Sequence, residues 1–218
     1  MDQEDIDVGE YLSRSIELLL DRGAGLLGDG PPDWLLDLMK HQMEFSRRRA
    51  EMKKQDVHVP PFMIMSVTRR CNLNCAGCYA RELHGTSGEE LEDVDHHSIL
   101  EQAEELGIGI ILTAGGEPLL REGLLDLLGE HSSIIFPLFT NGLLLNDQKI
   151  EALRGYRNIV PVLSIEGFQG NTDVRRGEGV LENILRTAVK LKEKDIFWGT
   201  SITFTSENVE EIASDEFV

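Results

Sequence analysis

Cys71-Asn72-Leu73-Asn74-Cys75-Ala76-Gly77-Cys78-Tyr79 gathers all three cysteines of a 218-residue chain into eight positions, with C-x3-C-x2-C spacing. An odd number of cysteines so close together makes no disulfide framework and reads as a metal site. The stretch follows the short apolar run Phe62 to Val67, so the thiols sit on a loop at the end of a predicted strand.

Three thiolates on so short a loop can bind three irons of a 4Fe-4S cubane and leave the fourth open to a small molecule. Structural zinc is the alternative, with His84, His96 or His97 as fourth ligand; under the cluster reading these three are surface residues. Structural zinc usually draws its ligands as two close pairs from separate loops, whereas one loop here supplies three, so the spacing favours the cluster.

Outward from the loop, short apolar runs alternate with helical stretches. The strands are expected at Phe62 to Val67, Gly109 to Thr113, Ile134 to Thr140, Ile159 to Ile165 and Phe197 to Phe204. Helices are expected at Asp95 to Leu106, Arg121 to Leu128, Asn146 to Arg154 and Val180 to Lys194, with Asp95 and Asn146 as N-caps. This order implies an α/β fold with parallel strands and right-handed crossovers, either an open doubly wound sheet or a partial barrel. Both architectures put chemistry at the C-terminal ends of the strands. Residues 1–57 are read as a helical extension and 58–218 as the core. Within the extension, Ile6 to Leu20 and Asp33 to Lys54 have helical periodicity on either side of Pro31-Pro32. Its basic residues Arg47, Arg48, Arg49, Lys53 and Lys54 read as a solvated helix face.

Hydrophobic residues make up 41% of the chain, an ordinary globular fraction, and 21 basic against 39 acidic residues give a net charge of −18. That charge disfavours nucleic-acid phosphates and anionic membranes. Apolar runs fall short of the ~20 residues of a membrane span, and the N-terminus is acidic where a signal peptide would be basic. The chain is read as soluble and cytoplasmic.

Polar motifs stand at the later strand ends. Gly115-Gly116-Glu117-Pro118 follows the second strand, where glycines permit close backbone approach and Glu117 could accept from an ammonium group. Thr140-Asn141-Gly142 ends the third strand and Ser164-Ile165-Glu166-Gly167 the fourth, Ser164 and Glu166 being spaced to point the same way on an extended chain. Asp173-Val174-Arg175-Arg176-Gly177 comes next, and on the fifth strand Ser201, Thr203 and Thr205 alternate to make a hydroxyl-lined face.

With these motifs in this order, the sequence from Pro61 to Asn208 resembles the radical S-adenosylmethionine (SAM) superfamily, and most closely its peptide-modifying and sulfatase-maturing branch, which shares the CNLxCxxCY loop. The resemblance implies a partial parallel (β/α) barrel with five of its six units visible and the sixth missing, so that the chain is expected to be a fragment of a longer protein or to be completed by a partner. It implies a 4Fe-4S cluster on Cys71, Cys75 and Cys78 that cleaves SAM to methionine and a 5′-deoxyadenosyl radical. Gly115, Gly116 and Glu117 would bind the methionine amino group, Ser164 and Glu166 the ribose, and Arg176 the carboxylate or substrate. Asn141 and Tyr79 join the cofactor-binding set; Gly77 stands where many members carry an aromatic residue, so an adenine contact from that position would be through backbone. Reduced ferredoxin or flavodoxin is the implied electron donor, and a small molecule or peptide the implied substrate. All three cysteines being used, no auxiliary cluster can be bound through cysteine. A module that binds cofactor without turnover, and a zinc-stabilised interaction domain, remain as alternatives.

Overall fold

The computed structural model describes residues 32–84 and 90–217. The helix expected from Ile6 to Leu20 lies outside these residues.

Five strands, β1 (Phe62–Ser66), β2 (Ile110–Ala114), β3 (Phe136–Thr140), β4 (Ile159–Ile165) and β5 (Gly199–Ile202), form one sheet in the order β1-β2-β3-β4-β5. Every neighbouring pair is parallel. Because each new strand joins the same growing edge, the order never reverses as it does in a doubly wound sheet. This is the wall of a partial barrel.

The eight described helices are α1 (Asp33–Lys54), α2 (Tyr79–His84), α3 (Asp93–Leu106), α4 (Leu124–Glu130), α5 (Asp147–Gly155), α6 (Gln169–Arg176), α7 (Val180–Glu193) and α8 (Val209–Ile212). Met65, Thr113, Leu138 and Pro161 stand abreast in register on the face that the helices cover. All four are buried. Met65 and Leu138 meet Leu100 of α3, Leu124 and Leu128 of α4, Ile150 and Leu153 of α5 and Ile184 and Leu191 of α7 in one core, and each large apolar side chain buried this way contributes about 1.5–3 kcal/mol. Ile64, Leu112, Phe139 and Val162 point to the opposite, concave face, where Ile64 is 66% exposed.

Helix α1 closes the end of the sheet opposite the cysteines. Phe45 joins the core, and Gln42 Nε2 donates to the carbonyls of Gly109 at 3.0 Å and Ser133 at 3.2 Å, just ahead of β2 and β3.

Several local expectations change. Asp95 is not the cap of α3: the helix begins at Asp93 after Glu92, and Asp95 Oδ2 accepts the Glu92 backbone N–H at 2.9 Å. Asn146 does cap α5, accepting from Lys149 N–H at 2.9 Å. The helix expected over Arg121 to Leu128 is a 3-10 turn, Pro118–Leu120, followed by α4, with Gly123 at φ 70° between them. Strand β5 stops at Ile202, leaving Thr203 and Thr205 in the following loop. His96 and His97 belong to α3; His96 is buried rather than superficial, with Nδ1 2.8 Å from the Glu92 carbonyl. His97 Nδ1 lies 3.4 Å from His131 Nε2, and its Nε2 lies 3.6 Å from Glu130.

Candidate active site

The cysteine loop leaves β1 still paired to the loop after β2. Val67 N–H donates to Ala114 O at 3.0 Å, Gly116 N–H to Thr68 O at 2.7 Å and Glu117 N–H to Arg70 O at 2.8 Å. The two glycines make this pairing possible, since a Cβ on Gly115 would lie 2.4 Å from Thr68 O, and one on Gly116 would lie 2.2 Å from Arg70 O. The close approach is to the cysteine loop's own backbone. Glu90 braces the same strand end, accepting from Thr68 Oγ1 at 2.8 Å and Arg69 N–H at 2.7 Å, and the Arg69 N–H holds its carboxyl below the usual range.

Two further contacts fix the loop. Asn141 Nδ2 donates to Asn72 Oδ1 at 2.8 Å, and Ala76 N–H donates to Arg175 O at 2.9 Å. Cys71 is exposed, Cys75 and Cys78 are half-buried, and all three are free thiols. Burial pushes the Cys71 and Cys75 thiols up, and the neighbouring thiolates add to this; at Cys75 the Arg176 and then the Arg175 guanidinium oppose it. Tyr79, the first residue of α2, is 64% exposed.

Glu117 is buried at 1% exposure. Its Oε1 accepts from Thr140 Oγ1 at 2.7 Å and Leu119 N–H at 3.2 Å, and its Oε2 from Asn141 N–H at 2.8 Å. Burial raises its pKa against these donors. Its carboxylate therefore fastens the β2 loop to the β3 loop, whereas the sequence pattern pointed it at an ammonium group.

Glu166, one residue past β4, is likewise 1% exposed, while Ser164 in the strand is half-buried beside its register partner Ser201. Glu166 Oε2 accepts from Arg175 Nη1 at 3.1 Å and Thr203 N–H at 3.3 Å, and Oε1 from Arg176 Nη2 at 2.5 Å. The Nε of each arginine is buried without a partner among the described residues. Instead of standing beside Ser164 as a free pair, Glu166 is turned into this ion group.

Sequence reasoning missed Asn72 and Asn208. Asn208 is 3% exposed and donates through Nδ2 to the carbonyls of Glu166 and Thr203, both at 2.9 Å. Asn72 stands in the CNL stretch of the loop, but its partner Asn141 lies 69 residues away; Asn208 carries no pattern of its own, and its partners lie 5 and 42 residues back.

A parallel wall with a three-thiol loop at its C-terminal mouth, tied to the loops of β2 and β3 and to α6, defines a partial (β/α) barrel. Residues 65–217 match the Radical SAM superfamily model, and the chain belongs to that superfamily. It is 26% identical over 80% of its length to Fe-coproporphyrin III synthase of Methanosarcina barkeri, covering 42% of that protein. It is 29% identical over 72% of its length to the sporulation killing factor maturation protein SkfB of Bacillus subtilis, covering 39%. The chain thus spans less than half of either relative. Streptococcus suis SuiB bound to precursor peptide SuiA shares the fold at a TM-score of 0.64 and 22% identity, over 77% of this chain and 38% of that one. The structure of anSMEcpe with bound AdoMet does so at 0.58 and 22%, over 69% and 45%. Among the described residues no helix is long and apolar enough to cross a membrane.

Proposed function

We propose that this chain is the core of a radical SAM enzyme that abstracts hydrogen from a small-molecule or peptide substrate. The observation that carries this reading is the loop of Cys71, Cys75 and Cys78, held at the mouth of the barrel by Asn141, Arg175 and the Gly116-Glu117 backbone. The thiols suit a 4Fe-4S cluster because one short loop supplies all three. Structural zinc usually draws its ligands as two close pairs from separate loops, whereas a cubane takes one thiolate on each of three irons.

Bound there, the cluster supplies the electron that cleaves SAM into methionine and a 5′-deoxyadenosyl radical. The chain's own residues would position the cofactor. The Gly115-Gly116-Glu117 backbone faces the cysteine loop, where it can receive the methionine amino group; Asn141 orders the loop beside it. Ser164 offers a half-buried hydroxyl for ribose, Arg176 a cation for a carboxylate, and Tyr79 an exposed ring. Reduced ferredoxin or flavodoxin is the electron donor of this proposal. The names of SkfB and of the SuiB complex support a peptide substrate and that of Fe-coproporphyrin III synthase a small molecule.

The test is anaerobic reconstitution with iron and sulfide, followed by dithionite and SAM. Release of 5′-deoxyadenosine is expected. A fully loaded cluster that releases none overturns the reading.

A further inference from the structure

Two guanidinium groups meet a single buried carboxylate at Glu166, which leaves one positive charge uncompensated among the described residues. The side chains of Arg175 and Arg176 are only 22% and 13% exposed, so solvent screens that charge poorly. The group is seated against the cysteine loop: Arg175 O accepts the Ala76 N–H at 2.9 Å, one residue from Cys75. Asn208 and Thr203 fix Glu166 from the β5 side.

We propose that Glu166, Arg175 and Arg176 form a charge-setting unit for the cluster, in which Glu166 is a positioning residue that holds both arginines beside the cysteine loop, where Arg175 is hydrogen-bonded to Ala76, and cancels one of their charges. This rests on the assignment of the cluster to Cys71, Cys75 and Cys78. Reduction potentials of iron–sulfur clusters follow net charge, hydrogen bonding and solvent exposure around the cluster. A positive charge held nearby favours the reduced, more negative state, and the effect is large where the dielectric is low. Removing Glu166's charge should therefore make the cluster easier to reduce, and removing Arg176's should make it harder.

The experiment is an EPR-monitored redox titration of the reconstituted full chain without SAM, comparing wild type with Glu166→Gln, Arg176→Gln and the double variant. Glu166→Gln is expected to shift the midpoint potential upward and Arg176→Gln downward. The double variant, which restores the wild-type net charge of the group, should fall between them. Unchanged potentials, or shifts of both single variants in the same direction, overturn the proposal. So does a Glu166→Gln variant whose SAM-free potential is unmoved while its SAM dissociation constant rises, since that assigns Glu166 to the ribose. Should Glu166→Gln fail to fold, Arg176→Gln and Arg175→Gln decide through a downward shift or its absence. A wild-type chain that takes up no cluster overturns the proposed function together with this unit; a loaded wild type whose variants keep its potential overturns this unit alone.

Discussion

Asn141 Nδ2 donates to Asn72 Oδ1 at 2.8 Å across 69 residues of sequence, joining the end of the third strand to the middle of the cysteine loop. The same Asn141 gives its backbone N–H to Glu117 and accepts the Leu143 N–H through Oδ1 at 3.0 Å. One side chain thus holds its own turn and the neighbouring loop at once.

Asn141→Ala should accordingly cost more than Asn72→Ala: about 1–3 kcal/mol for the first, which leaves buried groups unpaired, and about 0.5–1.5 kcal/mol for the second. Asn141→Asp should be milder toward Asn72, because the Asn72 amide can turn to present its own N–H groups. Urea denaturation under reducing conditions measures all three. Iron content per chain after reconstitution should fall in Asn72→Ala, since its loop loses a tether.

Glu117→Gln replaces an acceptor oxygen with an amide nitrogen that faces a backbone or hydroxyl donor, and should destabilise the fold by about 1–3 kcal/mol. The pH dependence has a defined sign. Burial raises the folded pKa of Glu117, so the native state holds its proton more tightly than the unfolded state does. Its contribution to stability is fully present below the ordinary glutamate value of about 4.3 and is lost as pH rises through the folded pKa. The stability of wild type relative to Glu117→Gln should therefore decline with rising pH across that window.

The positions of the strands along the chain are readable from the sequence because each is a short apolar run ended by a polar loop, with the cysteine, GGEP, TNG and SIEG motifs at successive strand ends; that alternation alone leaves a doubly wound sheet and a partial barrel both open, and the sheet order decides between them. Helix α6 is not readable: Gln169 to Arg176 has almost no apolar residue to give a helical period. Asp95 reads as a cap because an aspartate at the start of a periodic run has the right chemistry, and only the backbone shows that it accepts from Glu92 as the third residue of the helix. The partners of Glu117 and Glu166 are hidden for a different reason. A carboxylate in a motif is equally able to meet a ligand or the chain's own donors, and which it meets depends on loops that lie 24 residues away at Asn141 and 37 away at Thr203.

Asp173 fastens α6 to α7: its Oδ1 accepts from Leu181 N–H at 3.0 Å and its Oδ2 from Gly179 N–H at 2.9 Å. The Leu181 N–H, followed by that of Gly179, holds its pKa below the ordinary aspartate value. A depressed pKa gives stability that is present above the unfolded value of about 3.9 and is lost as pH falls through the folded one. Asp173→Asn should lower Tm at neutral pH, and the difference from wild type should shrink on acidification through that window. Thermal unfolding from pH 7 down to pH 3 provides the measurement.

Gly116→Ala should disturb the cysteine loop. The new methyl would lie 2.2 Å from Arg70 O and 2.6 Å from Arg70 C, both backbone atoms that cannot rotate away. Relief requires the strand end to move, which would strain the Glu117 N–H to Arg70 O bond and the start of the loop carrying Cys71. Overpacking of this kind typically costs about 1–3 kcal/mol. Gly170→Ala is the control: it lies in α6, its Cβ would meet nothing within 4 Å, and alanine there should stabilise by about 0.4–1 kcal/mol by restricting the unfolded chain. Urea midpoints should move in opposite directions for the two variants, and iron uptake should fall only in Gly116→Ala. Equal behaviour of the two would mean that the Gly116 backbone does not set the position of the cysteine loop.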